Sequence, residues 1–179
     1  ASRPRVERPR FVMPKLGWAL GAVAALLLVM VVSVSLVQAS ASALPGMALY
    51  PIKLAVEDAR LWLAPAEREP ALHLEFARRR LAEIEALAEQ GRSDPAMVAD
   101  MTAHMQAALT GAEELSPEAA EPVLQELLAL ADVQERTLPQ LAEQVPPSER
   151  GPFRRAMGTS AAFAARARIL LGLEPLEPE

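Results

Sequence analysis

Residues 67–90 read EREPALHLEFARRRLAEIEALAEQ, and within them Leu74, Ala77, Leu81, Ile84 and Ala88 recur at steps of three and four. That spacing puts the five apolar side chains on one face of a 3.6-residue helix and leaves Glu75, Arg78, Arg79 and Glu85 outside it. Gly91 is a natural stop. A helix with one apolar face must bury it, so the stretch predicts further helices on either side.

They are legible toward the C-terminus. Ser93, Asp94 and Pro95 open a helix whose apolar face is Met97, Met101, Met105 and Leu109. Ser116 and Pro117 start another, with Leu124, Leu127, Leu128 and Ala131 on one face and with Pro122 and Pro139 expected to bend or split it. Pro146, Pro147 and Ser148 precede a last helix to about Leu171, with Phe153, Met157, Phe163 and Leu170 apolar. Toward the N-terminus, Pro51 begins a short helix in which Ile52, Ala55, Val56, Ala59 and Leu63 follow at helical spacing until Pro65. Tyr50 and Trp62 are expected to seat it against its neighbours. No strand alternation and no repeat interrupts the series.

Hydrophobic residues make up 51% of the 179, and none is cysteine. Disulfides, thiolate metal sites and thiol nucleophiles are therefore excluded. From Leu16 to Val37 the chain reads LGWALGAVAALLLVMVVSVSLV, 22 residues without a charge. As a helix this spans about 33 Å against a hydrocarbon core of about 30 Å. Its six Leu and six Val contribute about −4 to −7 kcal/mol to insertion. Lys15 and Trp18 sit where an ammonium and an indole anchor at the interface. Gly17, Gly21 and Ala25 have the four-residue spacing of dimerising membrane helices, although membrane helices also carry such glycines without dimerising.

Arg3, Arg5, Arg8, Arg10 and Lys15 against Glu7 give residues 1–15 a charge of +4, leaving 13 basic and 22 acidic groups, or −9, in the remainder. The positive-inside bias then places the N-terminus in the cytoplasm and the large domain outside it. The expected organisation is a basic cytoplasmic arm (1–15), a transmembrane helix (16–37), a short linker (38–48), an extracytoplasmic helical domain (49–172) and an acidic tail (173–179). The fold class is all-α: one transmembrane helix followed by an extracytoplasmic bundle of about four to five helices. Ala39-Ser40-Ala41 also resembles a signal-peptide cleavage site, which would make the domain a secreted structural protein; the apolar run is longer than such peptides use. A strongly acidic domain repels phosphates, so no nucleic-acid partner is expected.

Residues 43–92 carry an Ala-Leu-Pro-Gly turn, Leu49-Tyr50-Pro51 with Lys53, and the run Leu-His-Leu-Glu-Phe-Ala-Arg-Arg-Arg-Leu-Ala-Glu from Leu72 to Glu83. In these features the chain resembles the bacterial membrane-protein family defined by domain of unknown function 5667. The resemblance implies a single membrane helix and an exported helical domain. Longer relatives look as though they carry a cytoplasmic segment similar to anti-sigma factors, which would make the exported part a sensor. It supplies no catalytic or binding residues to carry over.

Met97, Met101, His104 and Met105 stand at i, i+4, i+7 and i+8, so thioethers and an imidazole can share a helix face, a donor set suited to Cu(I). Methionines filling core gaps have this same spacing. His73 and Glu75 point to different sides of their helix and are read as solvated. The Arg78–Arg80 run is either a solvated face, partly paired by Glu75 to Arg79 and by Glu83, or a contact for anionic headgroups. Nothing matches a zinc helix, a phosphate loop or a nucleophile elbow, so no enzyme, catalytic residue or cofactor is expected. The sequence thus points to a membrane-anchored binding or sensory module, with the bilayer, a protein partner and a second copy as its candidate contacts. A copper-responsive module is the alternative.

Overall fold

The turns between helices are built as the sequence spells them. Gly91, at φ +66°, closes the second helix: its N–H donates to the Ala88 carbonyl (2.8 Å) and the Arg92 N–H to that of Leu87 (2.9 Å). That is a left-handed C-terminal cap, a conformation glycine adopts without a Cβ penalty. Asp94 then caps the next helix by accepting from the Ala96 N–H (2.9 Å), and Ser116 caps the one after by accepting from Ala119 (3.4 Å).

A computed structural model describes residues 43–173 of the protein. They form α1 (Tyr50–Leu63), a 3-10 turn (Ala66–Arg68), α2 (Glu69–Ala88), α3 (Pro95–Glu114), α4 (Pro117–Gln144), a second 3-10 turn (Pro147–Glu149) and α5 (Arg150–Leu170). The described residues thus hold five α-helices and no strand. Among them no helix is long and apolar enough to cross a membrane. The apolar segment 16–37, with Lys15, Trp18, Gly17, Gly21 and Ala25, lies outside the described residues.

α2–α3 and α4–α5 are two hairpins packed together, α3 beside α5 and α2 beside α4. Between them lies a core in which Leu74 and Ile84 of α2, Met101 and Met105 of α3, Leu127 and Leu138 of α4, and Phe153 of α5 are buried. Gly111 lets α3 close on the start of α2: a Cβ there would meet Pro70 Cγ at 2.7 Å. Contrary to the expectation of a split, α4 runs unbroken through Pro122 and Pro139. Both prolines are on its exposed side, where solvent can take up the carbonyls left unbonded.

The first helix departs from its sequence reading. Ile52, Ala55, Ala59 and Leu63, expected to pack inward, are exposed, and Trp62 is 84% exposed. The residues α1 buries are Lys53 and Glu57. The physical reason lies on α2, whose facing surface carries Glu75, Arg79, Arg80 and Glu83. Such charges are buried at tolerable cost only against opposite charges, so α1 turns its own charged stripe toward them. Ala43 and Leu44, in the stretch read as linker, are also buried.

Candidate functional site

Lys53, Glu57 and Arg60 stand at i, i+4 and i+7 on one face of α1. Each meets a partner on α2, in antiparallel order. Lys53 Nζ donates to Glu83 Oε1 and to the Ala43 carbonyl (3.2 Å). Glu57 accepts from Arg80 through one oxygen and from Arg79 through the other (2.7 Å). Arg60 forms a two-pronged pair with Glu75, both bonds 2.7 Å, and Arg79 adds a third bond to Glu75 at 2.8 Å.

Arg80 is the hub. It is 1% exposed, and it donates through Nε to Asp100 of α3 (2.5 Å) and through Nη1 to both Glu83 oxygens (3.2 Å), besides its bond to Glu57. Burial alone would pull its guanidinium down; the hydrogen bonds it donates to Glu57 and Asp100 and the charge of Glu83 outweigh burial and hold it above its ordinary value. The reading of Arg78–Arg80 as a solvated or lipid-facing run is thereby corrected for Arg80, while Arg78, its side chain 48% exposed, lies on a solvated face and the Glu75–Arg79 pair expected from sequence is present. Arg80 is internal, Arg79 is tied to α1, and Arg78 pairs with Glu126 of α4. Arg60 and Arg79 also lie 5.5 and 5.6 Å from the centre of the buried Phe76 ring.

On the far side of Phe76, the sequence reading of His73 as a solvated residue gives way to a contact between helices. His73 Nδ1 of α2 lies 2.9 Å from His104 Nδ1 of α3, and the His104 ring meets Phe76 edge-on at 5.5 Å. One ring must carry its proton on Nδ1 and the other must leave that nitrogen bare, so the bond requires at least one neutral imidazole. Burial pushes both histidines below the usual imidazole range, against the opposing pull of Glu69 on His73 and of Asp100 on His104. Unfolded chain takes up protons near pH 6.5, whereas the folded pair takes them up only at lower pH. The pair's stabilisation is therefore fully present above about pH 6.5 and is lost as pH falls. Stability should fall between pH 7 and 5, read as a dropping melting temperature, and a His73→Gln, His104→Gln protein should show a flatter slope across that window. Glu75 is held below the usual carboxylate range chiefly by its hydrogen bond from Arg60; its stabilisation is present throughout this window and is lost only at more acid pH.

Of the residues proposed from sequence as metal donors, Met97 and His104 line a common cleft, whereas Met101 and Met105 lie in the core beneath. The cleft, about 460 Å³, opens between α1 and the start of α3. Tyr50, Leu54, Leu61 and Phe76 form its apolar wall, and Arg80 with its partners Glu57 and Asp100, together with Asp58 and Asp94, completes the lining. Among the described residues no group of three or more histidine and carboxylate side chains is placed to hold a metal ion. A second groove, about 890 Å³, runs between α4 and α5 past Leu128, Met157 and Ala164.

The sequence model of a family described as a domain of unknown function, DUF5667, matches residues 42–148. The chain belongs to this family. No curated protein and no solved structure matches it. The DUF5667 match begins at the entry to the described domain and spans α1 to α4. Every charged residue of the α1–α2–α3 network and both histidines fall inside it, while α5 completes the bundle from beyond it.

Proposed function

We propose that this DUF5667 chain is a membrane-tethered, extracytoplasmic helical module that works by binding, as the sensory or interaction part of a regulatory membrane protein. The observation that carries the reading is the α1–α2 interface. A helix whose buried residues are Lys53 and Glu57, with Tyr50 its contribution to the apolar core, exposes less apolar surface on separating from its bundle than a helix held by an apolar face, a property suited to a moving part. The uncharged segment 16–37 and the basic arm before it support the tether and its direction.

The test is an in-membrane crosslinking pull-down of the intact protein, with its N-terminus and its membrane or soluble fraction determined in the same sample. An uncleaved membrane-bound bait that brings down a regulator is the expected result. A soluble bait whose N-terminus lies near Ser42, with no such partner, overturns the reading in favour of a secreted structural protein.

A second reading is favoured by His73, which adds an imidazole beside His104, itself in the cleft that Met97 also lines. A copper-responsive module built on these groups should melt at higher temperature with Cu(I), and the rise should vanish in His104→Leu. No thermal shift with Cu(I) removes it.

A further inference from the structure

The face of α1 opposite its charged stripe carries Ile52, Ala55, Ala59, Trp62 and Leu63, with no charged residue among them. All five are exposed, Trp62 at 84% and Leu63 at 71%. Met47, just before the helix, is exposed as well. Isolated surface hydrophobes need no explanation, but a continuous helical stripe ending in an unburied tryptophan does.

The chain's own layout identifies what covers it. Ala43 is buried in the domain, and its carbonyl is held by Lys53 of α1. Only residues 38–42 separate it from the last residue of the uncharged segment, Val37. Five residues reach at most about 17 Å when fully extended. A helix tied that closely to a membrane span cannot leave the interfacial zone by much, and indole side chains favour that zone. An interfacial helix needs one apolar face for the acyl boundary and one polar face away from it. α1 has both, its polar face being the one engaged by the bundle.

From this we propose that α1 is a juxtamembrane interfacial helix: Ile52, Trp62 and Leu63 dip into the headgroup–acyl boundary of the bilayer while Lys53, Glu57 and Arg60 hold the bundle above it. The proposal rests on the membrane-tether reading. The stripe itself holds no charged residue, and the exposed charge on its flank, Asp58, is acidic like the domain. Neither draws α1 to anionic headgroups, so docking is by apolar insertion: zwitterionic phosphatidylcholine suffices and added salt does not release it.

The chain contains two tryptophans. A Trp18→Phe version of the full chain therefore reports on Trp62 alone. In phosphatidylcholine vesicles brominated near the top of the acyl chain, Trp62 emission should be blue-shifted and fall about twofold relative to unbrominated vesicles. Alkaline carbonate extraction and flotation of the same sample report the tether separately. Retention with unquenched, red-shifted Trp62 overturns docking and leaves the tether standing; quenching without retention keeps docking and removes the tether. A second copy as the occupant would instead shield Trp62 from bromolipid and aqueous iodide alike and let Leu63→Cys, the sole cysteine in the chain, form a disulfide dimer; that result overturns the proposal.

Discussion

Replacing Arg80 with alanine is expected to lower folding stability by about 3–5 kcal/mol. The buried group is neutral as it stands, with Lys53 and Arg80 against Glu57 and Glu83, all four at most 5% exposed. Alanine leaves two carboxylates against one ammonium where water cannot compensate them. Glu57 retains Arg79 and Glu83 retains Lys53, which keeps the loss within that range rather than beyond it. For a domain of this size the change corresponds to a fall of about 10–20 °C in melting temperature, read by far-UV circular dichroism on the intact chain. Arg78→Ala is the control: its side chain is 48% exposed, and its pair with Glu126 should contribute less than about 1 kcal/mol. Equal melting temperatures for the two variants would mean that Arg80 is not the hub of the network.

The same pair of neighbouring arginines shows where sequence reading stopped. Apolar periodicity located α2 to α5, because a face such as Leu74, Leu81 and Ile84 has no use except burial, and the Met97, Met101 and Met105 face is buried in the same way. It misplaced α1 for the converse reason. The face of α1 that is buried is charged, and a rule that sends apolar residues inward necessarily turns such a helix the wrong way round. The information was nonetheless in the sequence. Lys53, Glu57 and Arg60 read plus, minus, plus; Glu83, Arg79 or Arg80, and Glu75 read minus, plus, minus in the reverse direction. Matching complementary charge stripes on adjacent antiparallel helices would have found the interface. The His73–His104 contact had no comparable signal. The two residues are 31 positions apart, and the register of α2 on α3 that joins them is fixed by core packing and by the close approach of Pro70 to Gly111.

A variant that replaces the whole buried quartet, Lys53→Leu, Glu57→Leu, Arg80→Met and Glu83→Leu, is expected to do the opposite of Arg80→Ala and to gain about 1–4 kcal/mol, because ions recover their desolvation cost poorly in a dry interface and apolar groups of similar volume incur none. Asp100, which loses Arg80, is partly exposed and can be hydrated, and Arg79 keeps Glu75. In the natural sequence, opening α1 returns four charged groups to water, which offsets the broken pairs; in the variant, opening exposes leucine at about 25 cal/mol per Å². Amide hydrogen exchange should therefore be faster across α1 than across α2 in the natural chain, and the difference should shrink in the quartet variant. If α1 is already as protected as α2, its ion pairs are a rigid fixture, and a helix that moves on binding is the wrong picture of this domain. If the gradient is present and the apolar quartet removes it while raising stability, the charges are retained for reversible docking, since stability alone would favour their loss.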